Sequence, residues 1–198
     1  MILKANSSHS NRIAFLHINE LKSGFLSSFG LPFLTTLYKK IIKKGILLIS
    51  IEGDRIDGFV SFSPNTKKLM LGFIFSSPFN FLGLSLKFFR NPALIKKSLE
   101  TFTAPFKSSQ KSTTEVILPV AELLSIAVDS TLQKSGIGYQ LLTTLEQEIR
   151  KMGIKKYKVI TGAGLISANK FYLKNGFTQV MQIRIHGNEL SNVYVKKL

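Results

Sequence analysis

The stretch 122–152 constrains the fold more than any other part of this sequence. An apolar run ends at Val128, a turn follows with Gly136 and Gly138, and apolar residues then recur at helical spacing up to Met152. This pattern predicts a strand, a tight turn and an amphipathic helix in direct succession. The free N–H groups in the first turn of such a helix can bind phosphate, and Lys134 adds a positive charge beside them.

Two common nucleotide-binding motifs do not explain this turn. The dinucleotide-binding fingerprint G-x-G-x-x-G requires a third glycine at position 141, where this sequence has Leu141. The phosphate-binding loop G-x-x-x-x-G-K-[ST] is also absent from the sequence. A tight turn that binds nothing remains an alternative when this segment is considered alone.

The spacing of Gln133, Gly136 and Gly138 resembles the Q/R-x-x-G-x-G/A signature by which the GNAT acetyltransferase superfamily binds acetyl-CoA. A second motif follows at 168–177, where A-N-K-F-Y-L-K-N-G-F is similar to the late helix and following strand of that superfamily. The specific resemblance covers about residues 119–180. It implies an α/β fold with a mixed central sheet of six to seven strands, splayed in the middle and flanked by helices.

Local patterns elsewhere agree with this order of elements. Residues 76–114 predict one or two amphipathic helices, which would form an insert before the fourth strand of a single domain spanning 1–198. We read the Phe- and Leu-rich stretch 69–89 as the end of a strand followed by a buried or interfacial helix. The remaining predicted strands are 2–5, 46–51, 56–63, 122–128, 157–161, 177–185 and 192–195. The remaining predicted helices are one that Ser8 or Ser10 would cap, one from Pro32 to Gly45, and those at 136–152 and 167–174.

The resemblance also implies acetyl-CoA as cosubstrate and names the residues that would bind it. Two strand residues would supply backbone groups to the pantetheine arm, the turn and first helical residues would hold the pyrophosphate, and one amide side chain would contact the cofactor. These predicted cofactor-binding residues are Ile126, Val128, Gln133, Lys134, Ser135, Gly136, Ile137, Gly138, Tyr139 and Asn169. Asn169 can instead be a solvent-facing or helix-capping amide.

Two residues carry the catalytic roles that the resemblance implies. Tyr172 would protonate the CoA thiolate as it leaves, and Glu122 would draw the proton from the acceptor amine through water. The alternatives are an ordinary helix aromatic that packs on the sheet for Tyr172, and a strand-end carboxylate paired with a surface lysine for Glu122. The strand at 157–161 has no carboxylate that could replace Glu122 as the base.

The net charge of +16, from 27 basic and 11 acidic side chains, favours an anionic ligand or simply a soluble surface. Scattered lysines and few arginines argue against a dedicated nucleic-acid reader, and polar residues interrupt the apolar stretch 69–89, so membrane contact is not expected. The absence of cysteine excludes disulfides and thiolate metal sites and fits a cytoplasmic protein. No metal is expected, because His9, His17 and His186 lie far apart in the sequence.

The aromatic and basic insert favours a small amine with an anionic part, such as an amino-sugar nucleotide or an acidic metabolite. A protein N-terminus or lysine is the alternative acceptor, and a non-catalytic acyl-CoA-binding regulator or a membrane-surface or nucleic-acid-binding protein is the alternative function. GNAT proteins often pair through C-terminal strands, so a homodimer through 193–198 is a further prediction.

Overall fold

The computed structural model describes residues 1–22, 24–76, 117–186 and 189–198, which group into two compact units. The first unit comprises Met1–Pro64 and Leu123–Ile154, and the second comprises the described parts of Asn65–Glu122 and Lys155–Leu198. The strands are β1 Ile2–Lys4, β2 Ile46–Glu52, β3 Arg55–Ser63, β4 Glu122–Val128, β5 Lys156–Gly162, β6 Thr178–His186 and β7 Glu189–Lys197. The helices are α1 Ser10–Glu20, α2 Leu31–Lys44, α3 Thr66–Ser76, α4 Ile137–Lys151 and α5 Ile166–Lys174, with 3-10 helices at Ser7–His9, Phe25–Phe29 and Ser130–Leu132.

The first unit places its strands in the order β1-β2-β3-β4, with antiparallel pairing from β1 to β3. Phe59 of β3 contacts the rings of His17 in α1 and Tyr38 in α2. The neighbouring Gly58 lies beside Leu141 of α4. Since successive residues of a strand face opposite sides of a sheet, α1 and α2 cover one face and α4 covers the other. This explains why nearly every residue of β2 and β3 is buried.

Gly58 permits the close approach of β3, β4 and α4. A Cβ atom at this position would lie 2.9 Å from the backbone oxygen of Ala127 and 3.2 Å from Leu141 Cδ1. The backbone oxygen of Ala127 cannot move without shifting β4 itself, so a larger side chain at position 58 would displace the strand that precedes the glycine turn.

The second unit is organised around β7, which pairs antiparallel with β5 on one side and β6 on the other. The ring of Tyr172 in α5 packs against the rings of Phe177 and Tyr194. Residues 193–195 use both hydrogen-bonding edges within the chain. A homodimer through these residues would therefore have to form by side-chain contacts, not by pairing of strands.

The predicted α/β class with six to seven strands is confirmed, since the described residues contain four strands in the first unit and three in the second. The predicted helix from Pro32, the strands at 46–51 and 56–63, the strand–turn–helix at 122–152 and the last two strands are all present, with ends shifted by a few residues. The splay of the central strands and the single-domain organisation stay predictions. The helical insert lies, apart from residue 76, outside the described residues.

Two local predictions were wrong. Residues 66–76 form the helix α3, so the stretch that begins at Leu69 is not a strand end. The helix α1 is capped neither by Ser8 nor by Ser10, because it begins at Ser10 and His9 is its N-cap residue, without a side-chain capping bond. Asn6 caps the preceding 3-10 helix, where its side chain accepts a hydrogen bond from the Ser8 N–H at 3.0 Å. Among the described residues, none of the helices combines the length and hydrophobicity that a membrane crossing requires.

Candidate functional site

The turn after β4 is held by a carboxylate inside the first unit. Asp129 caps the 3-10 helix by accepting hydrogen bonds from the N–H and the hydroxyl of Thr131, at 2.9 and 2.6 Å. These bonds lower the pKa of Asp129 below its ordinary value, so its charge is used within the turn. The Asp129 N–H in turn donates to the Asp57 carbonyl at 2.8 Å, which ties the end of β4 to β3.

The backbone then takes a left-handed conformation twice before α4 begins. Lys134 has a φ of 68°, and Gly136, the residue before the helix, has a φ of 88°. Such a conformation is strained for lysine, whereas glycine adopts it without strain. The backbone conformation at position 136 therefore explains why the predicted signature has a glycine there. Lys134 and Gly136 are both exposed, and no acidic side chain lies in the first turn of α4.

The donors available at this turn can be counted along the backbone. The helical ladder begins with the Gln140 N–H, which donates to Gly136 at 3.0 Å. The N–H groups of the three residues before it, 137–139, therefore have no acceptor within the helix. The Ser135 N–H and hydroxyl instead donate to the Leu132 carbonyl at 3.4 and 2.6 Å, so this predicted contact residue is engaged within the turn.

The other predicted cofactor residues of the first unit lie on either side of this turn. Ile126 and Val128 are half-buried residues of β4. Gln133 is exposed, and its side-chain amide lies 3.4 Å from the Val128 carbonyl. Tyr139, in the first turn of α4, is exposed. The first unit thus brings together nine of the ten residues predicted to bind acetyl-CoA, which are Ile126, Val128, Gln133, Lys134, Ser135, Gly136, Ile137, Gly138 and Tyr139.

Asn169 lies in the second unit, and its side chain is buried in a network of hydrogen bonds. Its amide nitrogen donates to the carbonyls of Gly162, Ala163 and Leu165 at 3.0, 3.2 and 2.8 Å. Its amide oxygen accepts from the Asn192 amide and the Tyr194 hydroxyl, both at 2.8 Å. The side chain therefore holds the loop between β5 and α5 against β7. A direct contact with the cofactor would compete with these bonds.

Tyr172 is 5% exposed and lies among aromatic rings of the second unit. Ring centroids of Phe177 and Tyr194 lie 5.3 and 5.9 Å from its own. Burial raises its pKa above the ordinary value of 10.0, so the hydroxyl stays protonated at neutral pH. Its hydroxyl makes no hydrogen bond to another residue in the described part of the chain.

Glu122 opens β4 and is half-buried rather than exposed. Its carboxylate lies 3.3 Å from the ammonium group of Lys158, a residue of β5 in the same unit. The alternative lysine partner is thus present, although that lysine is largely buried and not at the surface.

Sequence reasoning missed Lys158, Asn192 and Tyr194 as partners of the predicted site residues. The sequence contained a signal for Lys158, which is a charged residue between two buried strand residues, Tyr157 and Val159. It contained none for Asn192 and Tyr194, because only the pairing of β7 with β5 brings them to Asn169. In the described ranges, no three His, Asp or Glu side chains form a group that could hold a metal ion.

The turn lies within the segment of the chain that matches a known protein family. The model of the acetyltransferase (GNAT) family matches residues 112–177. A GNAT-family acetyltransferase from Staphylococcus aureus Mu50 is similar over 100% of this chain and 98% of its own, with a TM-score of 0.61 and 15% identity. The chain has the GNAT fold. The family match also confirms, at the level of the family, the prediction of an N-acetyltransferase.

Further GNAT-fold structures agree. Ribosomal-protein-alanine N-acetyltransferase from Brucella melitensis is similar over 100% of this chain and 99% of its own, with a TM-score of 0.60 and 16% identity. An IAA acetyltransferase from Bacillus cereus ATCC 14579 gives a TM-score of 0.54 at 15% identity, over 100% of this chain and 99% of its own. No curated protein matches the chain by sequence. At these identities the structural likeness establishes the fold and leaves the acceptor undetermined.

Proposed function

We propose that this GNAT-fold chain transfers an acetyl group from acetyl-CoA to an acceptor amine. The observation that carries the proposal is the exposed turn before α4, where left-handed Lys134 and Gly136 precede a helix start with unpaired N–H groups. The positive end of a helix, a lysine and the absence of acid in the first turn suit a pyrophosphate group. The residues present therefore fit the phosphates of acetyl-CoA.

The reaction requires one bond to form and one to break. The amine nitrogen attacks the thioester carbonyl carbon, the carbon–sulfur bond breaks, and the sulfur leaves as a thiolate. The amine loses a proton and the thiolate gains one, so a base and an acid both assist the transfer. In this proposal Glu122 accepts the amine proton through water, and Tyr172 donates a proton to the sulfur.

The surroundings of Tyr172 suit a general acid, although they also make its hydroxyl less acidic. Burial raises its pKa, so the hydroxyl carries its proton throughout the neutral range. The same shift makes it a weaker acid than an exposed tyrosine. A thiolate leaving group has a reference pKa of about 8.5 by analogy with cysteine, so donation from Tyr172 is most effective as the negative charge develops on the sulfur.

For the acceptor we propose a small amine with an anionic part, such as an acidic metabolite or an amino-sugar nucleotide. The support is the net charge of +16, which would attract an anionic substrate to the surface. Acetylation of a protein N-terminus or a protein lysine is the alternative, and the Brucella protein of the same fold is named for acetylation of a ribosomal-protein alanine. Acyl-CoA binding without catalysis is a further alternative.

Calorimetric titration with acetyl-CoA tests the cofactor site. We expect a Kd on the order of micromolar for the parent, and at least a tenfold weaker Kd after Gly136→Ala with Gly138→Ala. The matched control is Gly53→Ala, because Gly53 also has a positive φ, of 56°, and open space around it in the hairpin of the same unit. It introduces the same backbone strain at a turn without the proposed phosphate site, and should bind as the parent does.

The same titration and a thiol-release assay test Tyr172. Tyr172→Phe should bind acetyl-CoA like the parent while turnover with a productive amine falls by roughly a hundredfold. Parental turnover in this variant would remove Tyr172 as the acid. No binding of acetyl-CoA by the parent would refute the proposed function as a whole.

A further inference from the structure

Lys158 occupies a position that lysine rarely takes. It lies inside β5 between the buried residues Tyr157 and Val159, and its own side chain is only 13% exposed. Lysine is almost never buried without a partner, because removing an ammonium group from water is costly. The partners of Lys158 therefore indicate what the position requires.

Those partners all belong to the short segment that leads into β4. The Lys158 ammonium group donates to the Pro119 carbonyl at 2.7 Å and lies 3.3 Å from a Glu122 carboxylate oxygen. The Lys158 backbone N–H donates to the Ala121 carbonyl at 3.0 Å. One residue thus holds the segment 119–122 through both its backbone and its side chain.

We propose that Lys158 is a positioning residue that holds the Glu122 carboxylate in one place, which rests on the function proposed above. The Glu122 side chain is only 14% exposed, and a buried carboxylate needs a partner that offsets its loss of water. The Lys158 ammonium group supplies that partner at 3.3 Å and fixes the position of the carboxylate.

The bond to Pro119 gives the arrangement a second useful property. When Glu122 takes up a proton, its attraction to Lys158 weakens, but the ammonium group keeps the carbonyl as its partner. Lys158 therefore stays in position while Glu122 passes through its neutral form, and the ion pair can form again when the proton leaves.

Steady-state kinetics of Lys158→Met, Lys158→Arg, Glu122→Gln and the double variant Lys158→Met/Glu122→Gln test the proposal. We expect Lys158→Met to lower kcat by roughly tenfold or more, with the KM for acetyl-CoA unchanged, and Lys158→Arg to restore most of the loss. The double variant should have the kcat of Glu122→Gln alone, because Lys158 acts through Glu122. Lys156→Met, at an exposed position of the same strand, should keep the parental kcat.

The outcomes separate this inference from the proposed function. Parental kcat in Glu122→Gln would remove Glu122 as the base, whereas no turnover by the parent with any amine would refute the transfer itself. A low kcat in Glu122→Gln beside a parental kcat in Lys158→Met would overturn the role of Lys158 alone. Losses of kcat that add in the double variant would also overturn it. If Lys158→Met does not fold, Lys158→Gln replaces it, with the same expectations.

Discussion

Each unit of the molecule buries a polar cluster, and the two clusters differ in how completely their hydrogen bonds are made. In the first unit, His17 Nδ1 lies 2.6 Å from the Tyr38 hydroxyl, which is also hydrogen-bonded to Ser125 of β4. His17 Nε2 is buried and has no hydrogen-bond partner among the described residues. In the second unit, Asn169 uses both its amide nitrogen and its amide oxygen.

This difference shows what each cluster contributes. A saturated network stabilises one arrangement of its partners, here the loop between β5 and α5 against β7. A buried nitrogen without a partner loses its hydrogen bonds to water and makes none within the protein, which lowers stability. We therefore expect the Asn169 cluster to stabilise the second unit, and the His17 cluster to position β4 at a cost in stability.

The largest expected effect follows from removing the centre of the saturated cluster. Asn169→Ala removes the acceptor shared by the Asn192 amide and the Tyr194 hydroxyl, and it leaves the Ala163 carbonyl without its side-chain donor. The carbonyls of Gly162 and Leu165 lose the same donor but keep a backbone N–H. We therefore expect the free energy of unfolding to fall by about 4 kcal/mol. Urea denaturation measures this loss. Asn175→Ala is the matched control on the same helix, because the Asn175 amide donates to a single carbonyl, that of Phe171 at 2.7 Å. Equal losses in the two variants would contradict the role given to the network.

A smaller effect is expected from pH, and it concerns the unsaturated cluster. Burial lowers the pKa of His17 from 6.5 to about 4, because the folded state disfavours the charged ring. The stability that results is complete above about pH 6.5 and is lost as the pH falls toward 4. The loss amounts to about 3 kcal/mol.

His17→Phe removes this titrating group and serves as the comparison. Urea denaturation at several pH values from 7.5 to 4 should show the parent losing stability more steeply than the variant, and the difference between the two curves cancels all other titrating groups. Parallel curves for the parent and the variant would show that His17 does not resist protonation in the folded state.

The two clusters also mark how far the sequence alone could lead. The strand, turn and helix at 122–151 depend on glycine placement and on the helical spacing of neighbouring residues, so their signals are local and were read with small errors at the ends. The partners of Asn169 depend on the register of β7, in which Tyr194 pairs with Val159. That register comes from long-range pairing and leaves no local signal. The prediction of a strand end at 69–76 was wrong although its signal was local. A nearly continuous apolar run has no period that separates helix from strand.

The smallest expected effect compares a tyrosine hydroxyl in each cluster. Tyr38→Phe leaves the bonded nitrogen of His17 and the Ser125 hydroxyl without partners, so we expect a loss of about 2 kcal/mol. Tyr194→Phe removes one of two donors to the Asn169 oxygen, and the Asn192 amide still donates to it at 2.8 Å, so a loss of about 1 kcal/mol is expected. Both tyrosines are almost fully buried, and both variants keep the aromatic ring, so the packing of the rings is retained alike.

Urea denaturation of the two variants beside the parent measures the difference in unfolding free energy. A larger loss of unfolding free energy in Tyr194→Phe would mean that the Asn169 network depends on every one of its bonds. The second donor to the Asn169 oxygen would then not compensate for the lost hydroxyl.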